Sequence, residues 1–218
     1  MHLILGANSE IARSLMKRLG REAIFATYNK TYPTDLPTKL EFSAIEQVDM
    51  SDPDSILNLT NHPKLDNITK ISWLVGKINI MKFARYDFDL IHKEYMINVL
   101  GITMLLNRLF YNNQIMAGAS ICLVSSGAAL GPGKGQSIYA SSKAALNSLA
   151  VNISLEYHQK RIKCYAICPG FFKSPSSELY SSFLSKKYIG KITTPKDVAN
   201  KINELHANPE SQQVVHKI

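Results

Sequence analysis

Short apolar runs alternate with stretches of helical periodicity from the first residue onward. "HLILGA" reads as a buried strand, after which Ile11, Leu15 and Leu19 share one face of a helix from about Glu10 to Leu19. "AIFATY" and "IEQVDM" read as the second and third strands. Asp52 then caps a helix through Ile56 and Leu59, with Pro53 in its first position. "ITKISWLVG" is a fourth strand, and one long helical stretch is predicted from about Asp87 to Asn113. "ASICLVSS" makes a fifth strand, and the helix that follows Tyr139 continues to about Gln159. "IKCYAICPG" is the sixth strand; a last helix opens at Thr194-Pro195 and leads to a short final strand in "QQVVHK". Continuous apolar strands separated by helices are buried on both faces and therefore parallel. The pattern predicts an α/β fold, a doubly wound parallel sheet in three α/β/α layers. The 218 residues suit a single domain over 1–218, without internal repeat, linker or low-complexity segment. Ligands of such sheets bind beyond the carboxyl ends of the strands, so the chemistry is sought there.

Composition changes this picture little. Hydrophobic residues make up 45% and charged residues 19%, an ordinary globular balance. No apolar run reaches the roughly 18 residues of a membrane span. The opening segment is too short for a signal-peptide core, so a cytoplasmic protein is expected. Cys122, Cys164 and Cys168 each sit in an apolar strand-like run, the setting of reduced, buried thiols. The Cys164–Cys168 spacing lacks nearby histidines, so no metal site is expected. The six histidines (His2, His62, His92, His158, His206, His216) are dispersed and read as surface residues. The net charge of +8 comes from scattered lysines and arginines, which argues for a solvated surface and against a nucleic-acid partner.

The candidate chemistry lies in "VSSGAALGPGKGQSIYASSKAAL". Tyr139 and Lys143 are four residues apart, on one helix face. An ammonium beside a phenol lowers a pKa that begins near about 10, letting the tyrosine exchange a proton with a substrate oxygen. Ser125 and Ser126 end the fifth strand and could donate to the same oxygen. At the first strand-to-helix turn, Gly6 offers close backbone approach to a pyrophosphate, with Asn8 or Ser9 as N-cap. Asp49 ends the third strand, where a carboxylate can accept from an adenine amino group. After the second strand, Asn29 and Lys30 stand where a ribose-binding acid is usual. A 2′-phosphate is the better fit there, hence NADP(H) rather than NAD(H).

With these residues in place, nearly the whole chain resembles the short-chain dehydrogenase/reductases, a family with the Rossmann fold. "YASSKAAL" resembles the active-site helix, and Ser126 precedes Tyr139 by the usual thirteen residues. "INVLG" is similar to the segment carrying the family's asparagine, here Asn98; "VDMSD" matches the adenine-binding aspartate at Asp49; "CPGFFKSP" resembles the segment after the sixth strand. The resemblance implies that Tyr139 is general acid/base and that Lys143 tunes it and holds the nicotinamide ribose. It further implies that Ser126 polarises the substrate carbonyl and that Asn98 anchors a water for proton relay. The implied cofactor-binding set is Gly6, Asn8, Ser9, Glu10, Ile11, Asn29, Lys30, Asp49, Met50, Gly76, Tyr139, Lys143, Pro169, Gly170 and Ser174, with residues 171–192 as a short substrate lid.

Two segments depart from the family pattern. The first turn, Leu5-Gly6-Ala7-Asn8-Ser9-Glu10-Ile11-Ala12, retains one glycine of three, and Trp73-Leu74-Val75-Gly76 replaces Asn-Asn-Ala-Gly. The first turn looks like that of a branch carrying Asp or Glu for the second glycine, whose members often act on sugar-linked or envelope precursors. The expectation is an oxidoreductase interconverting a carbonyl and a secondary alcohol, forming a homodimer or homotetramer through its long helices. A turnover-deficient nucleotide-binding sensor or scaffold is the alternative, and an epimerase retaining oxidised cofactor a third reading.

Overall fold

The computed structural model describes residues 1–131, 133–171 and 193–218; the expected lid thus lies outside the described residues, except for Phe171. The strands are β1 (His2–Leu5), β2 (Ala23–Tyr28), β3 (Glu41–Gln47), β4 (Ile68–Trp73), β5 (Ile115–Val124), β6 (Lys163–Cys168) and β7 (Val215–Lys217). They form one sheet in the order β3-β2-β1-β4-β5-β6-β7, with every neighbouring pair parallel. The order reverses between β1 and β4, opening the crevice in which doubly wound sheets bind ligands.

Side-chain alternation divides the core in two. Leu3, Leu5, Ile71, Trp73, Ile121 and Leu123 face helices α2 (Pro53–Thr60), α4 (Gly101–Tyr111) and α5 (Ser137–Glu156). The intervening Ile4, Cys122, Tyr165 and Ile167 face α1 (Glu10–Met16) and α6 (Pro195–Ala207). These are the predicted three layers. All three cysteines are free and buried, as their strand settings require.

Several boundaries move for local reasons. Helix α1 ends at Met16, because the tighter bonds Arg18 N–H to Leu15 carbonyl and Leu19 N–H to Met16 carbonyl close it before Gly20. Strand β3 begins earlier than expected and stops at Gln47, so Asp49 lies beyond its end. The predicted helix over residues 87–113 is α3 (Phe88–Tyr95), a π turn (Met96–Leu100) and α4, with Asn98 inside the π turn. Single π turns within α-helices recur at functional sites. Among the described residues, no helix is long and apolar enough to cross a membrane.

The expectation of six surface histidines fails for His2, His206 and His216, which are buried. His2 and His206 belong to a polar chain under α6. Nε2 of His2 is 2.9 Å from Ser72 Oγ, which is 2.9 Å from Nε2 of His206. Nδ1 of His206 is 2.6 Å from Ser120 Oγ. Sequence spacing hid this chain because its members come from β1, β4, β5 and α6. Burial holds both imidazoles below their ordinary pKa, so both are neutral in the fold. An unfolded histidine takes up its proton near pH ~6.5, whereas the folded ones do so only at lower pH. Their stability contribution is therefore complete above that pH and is lost as the pH falls below it. Stability should fall as the pH drops below about 6.5, less steeply for His2, whose Nδ1 lies 3.7 Å from the Glu22 carboxylate that favours its protonated form. Urea unfolding between pH 7.5 and 5.5 tests this; a flat midpoint would refute it.

Candidate active site

The carboxyl ends of β4, β5 and β6 converge on the head of α5. Ser125 N–H donates to the Ile167 carbonyl at 2.7 Å, and Gly127 N–H donates to the Pro169 carbonyl at 2.6 Å. A β-carbon at Gly127 would stand 3.0 Å from that same carbonyl, so the backbone approach is as close as a glycine allows. This bracing fixes Ser126, whose hydroxyl accepts from Ala128 N–H at 3.1 Å and stands near enough to Tyr139 to favour its ionised form. The structure thus brings Ser126 and Tyr139 together. Ser125 instead donates to the Lys143 carbonyl at 2.9 Å and is committed to holding α5.

Lys143 is buried, with its Nζ 5.9 Å from the centroid of the Tyr139 ring and donating to the Val124 carbonyl at 2.9 Å. The expected electrostatics are inverted in this arrangement. Burial pushes the Tyr139 phenol up, the Ser126 hydroxyl only partly offsets it, and Glu94 and Cys168 add to the rise. Burial also brings the Lys143 amine down to about 8. Desolvation of both groups outweighs the attraction predicted from their spacing.

Asn98 is fully buried and holds the loop that follows β4. Its Oδ1 accepts from Lys77 N–H at 2.8 Å, and its Nδ2 donates to the Lys77 carbonyl at 2.8 Å and to Ser142 Oγ at 3.0 Å. Gly76, immediately before, is exposed; a β-carbon there would lie 3.1 Å from Lys143 Nζ and 3.6 Å from Asn98 Oδ1. Any side chain at Gly76 would therefore press on the ammonium.

The opposite half of the crevice is built by β1, β2 and β3. Gly6 has φ of +92°, and a β-carbon would stand 3.3 Å from the Leu74 carbonyl carbon and oxygen. Only glycine suits both the conformation and the space. Gly6 and Ala7 both donate N–H to the Thr27 carbonyl, at 3.2 and 2.8 Å. Ser9 is the N-cap of α1, accepting from Ala12 N–H at 3.0 Å, whereas Asn8 donates its side-chain amide to the Thr31 carbonyl at 2.5 Å. Glu10 is exposed and Ile11 buried. Asn29 and Lys30 are exposed just past β2. At Asp49, burial alone would raise the carboxyl, but hydrogen bonds from the hydroxyl and N–H of Ser51, with the charges of Lys93 and Lys30, bring it below its ordinary value. Met50 is buried beside it. Pro169 is buried, and Gly170 N–H donates to the Ile218 carbonyl at 2.9 Å. Ser174 lies outside the described residues.

These residues fit a dinucleotide laid along the sheet edge. Gly6 and Gly76 leave backbone uncovered at the crossing, the Asp49 carboxylate lies beyond the end of β3, and the Lys143 ammonium lies beside Gly76. The carboxyl group of Glu94 is a feature that the motif reading missed. Its signal was its spacing, four residues before Asn98 and so on the same helix face.

The sequence profile described as short chain dehydrogenase matches residues 1–183. A 3-oxoacyl acyl-carrier-protein reductase of Rickettsia felis is 27% identical over 222 residues, covering 97% of this chain and 90% of that protein. A 7alpha-hydroxysteroid dehydrogenase of Clostridium sardiniense is 32% identical over 93 residues, 40% of this chain and 36% of that enzyme. A short chain dehydrogenase family protein from Francisella tularensis superposes with a TM-score of 0.83 at 16% identity, covering 100% of this chain and 96% of that one. The chain belongs to the short-chain dehydrogenase/reductase family. It is, with that family, an NAD(P)-dependent oxidoreductase.

Proposed function

We propose that this oxidoreductase interconverts a carbonyl and a secondary alcohol with NADP(H), and that Tyr139 is its general acid/base. One observation supports the reading: Lys143 Nζ lies 5.9 Å from the centroid of the Tyr139 ring, on the helix that Asn98 grips through Ser142, with Ser126 at the adjoining strand end. The bound nicotinamide would supply or accept the hydride. Ser126 would donate to the substrate oxygen, and the protonated Tyr139 phenol would give its proton to that oxygen as negative charge develops there. Lys143, an ammonium at neutral pH, would hold the nicotinamide ribose. Asn98 would keep the post-β4 loop against α5 and anchor a water between Lys143 and solvent. The relatives' names, a reductase of a 3-oxo group and a dehydrogenase of a hydroxyl, favour this pair of reacting groups.

NADP(H) is favoured over NAD(H) because Lys30 and Asn29 stand exposed past β2, without an acidic side chain between Thr27 and Tyr32. A homodimer or homotetramer is favoured by Leu100, Tyr111, Val151 and Leu155, large apolar side chains exposed on or beside α4 and α5. A small carbonyl or alcohol is the inferred substrate, and the cytoplasm the inferred location. The commitment of the Gly6 and Ala7 N–H groups to Thr27, with Glu10 heading α1, favours a second reading: a nucleotide-binding sensor or scaffold without turnover.

Titration with NADPH and separately with NADH, followed by nicotinamide fluorescence, tests the proposal. NADPH is expected to bind at micromolar or lower concentration and more tightly than NADH, and a ketone panel should then reveal turnover. Binding without turnover across the panel supports the scaffold; no binding of either cofactor refutes the oxidoreductase and leaves a scaffold that has lost dinucleotide binding.

A further inference from the structure

Two ordinary reasons for an asparagine in the first turn do not apply to Asn8. Ser9 caps α1, and Asn8 lacks the left-handed backbone that Asn67 and Asn113 adopt. Its side chain instead reaches the loop after β2, where Nδ2 donates to the Thr31 carbonyl at 2.5 Å. That loop has little else to hold it. Among the described residues, residues 30–36 make no main-chain to main-chain hydrogen bond. Just past Thr31, the Tyr32 ring meets the Tyr28 ring edge to face at 5.4 Å between centroids. At the root of the loop, the Tyr28 carbonyl accepts from Val48 N–H at 2.8 Å, beside the turn that bears Asp49. Asn29 and Lys30 lie between these anchors, and both are exposed.

We propose that Asn8 is a positioning residue for cofactor choice. By tethering the Thr31 carbonyl it keeps the Asn29–Lys30 segment in one pose, and so sets the preference for adenine nucleotides that carry a 2′-phosphate. The inference rests on the NADP(H) reading above, and it gives Asn8 a part other than touching the cofactor. A lysine on an untethered loop must be ordered, together with its backbone, each time it meets a phosphate. That lost entropy subtracts from the affinity. A loop already fixed by Asn8 and Tyr28 loses less, and only a ligand that uses Lys30 benefits. A nucleotide with a free 2′-hydroxyl leaves Lys30 unused and is indifferent to the tether. Alanine at position 8 keeps the Ser9 cap and suits the backbone there, so Asn8→Ala cuts the tether and spares the turn.

Calorimetric titration of the whole protein with adenosine 2′,5′-bisphosphate, and separately with adenosine 5′-monophosphate, tests this without nicotinamide or turnover. The wild type should bind the bisphosphate about tenfold more tightly, the scale of one charge-assisted contact. Asn8→Ala should weaken the bisphosphate about fivefold and leave the monophosphate unchanged. Lys30→Gln should remove the preference, and adding Asn8→Ala to it should change nothing further, because the tether acts through Lys30. Trypsin cleavage after Lys30 of the free protein, followed by mass spectrometry, should be several-fold faster in Asn8→Ala. Equal weakening of both nucleotides, full additivity in the double variant, or an unchanged cleavage rate overturns the inference. A preference that survives Asn8→Ala overturns it alone. A wild type without any preference for the bisphosphate overturns the NADP(H) reading, and the inference falls with it.

Discussion

Tyr139→Phe should lower kcat/KM for carbonyl reduction by roughly a hundred- to ten-thousand-fold, the contribution typical of a positioned general acid. The change removes one hydroxyl and leaves the ring, which Lys143 overlies at 5.9 Å. Ser126 keeps its bond from Ala128 N–H in the variant. No buried charge is orphaned, so the thermal midpoint should change little. The affinity for NADPH should also hold, because Gly6, Asp49 and the Lys143 ammonium remain in place. Steady-state kinetics with a responsive ketone, paired with the fluorescence titration, separates the two effects. Wild-type turnover by the variant would exclude Tyr139 as the proton donor.

Gly101→Ala should destabilise the fold by about 1–3 kcal/mol, the usual cost of forcing a methyl into a packed interior. A β-carbon there would stand 2.6 Å from the Met50 carbonyl and 3.0 Å from the Met96 carbonyl, both main-chain atoms that cannot swing aside. Helix α4 must therefore tilt, or the Asp49–Ser51 turn must move. The second course shifts the carboxylate proposed to meet the adenine, so NADPH affinity should fall along with stability. Gly20→Ala is the control: no atom lies within 4 Å of its β-carbon, and its effect should stay within about 0.5 kcal/mol. Equal denaturant midpoints for the two variants would contradict this account of Gly101.

Much of this architecture was legible in the sequence, since buried parallel strands leave long apolar runs and the helices between them keep one apolar face. Tyr139, Lys143 and Ser126 were legible because one helix turn and one strand end hold them at fixed spacing. The missed features all depend on contacts between distant segments. Glu94 looks like a surface acid until α5 and the post-β4 loop cover it. His2 and His206 are 204 residues apart, yet the Ser72 hydroxyl joins them. The direction of the Tyr139 shift was misread because local spacing reveals the neighbouring amine but not the loss of water around both groups. The π turn at Asn98 lay hidden too, for the Lys77 backbone that its side chain grips is 21 residues away in the chain.

The hydrogen-bonded chain beneath α6 also acts as a registration mark for the sheet. Its serines and His2 lie on alternate positions of β1, β4 and β5, beside apolar side chains directed to the other face. Sliding β4 by one residue against β1 would carry Ser72 into the layer now filled by Ile71 and Trp73, and would leave both imidazoles without their shared hydroxyl. Apolar side chains tolerate such a slip more readily than paired polar atoms do, because misplaced polar atoms lose their partners outright. Four polar side chains away from the proposed site thus help select the one pairing in which that site is assembled.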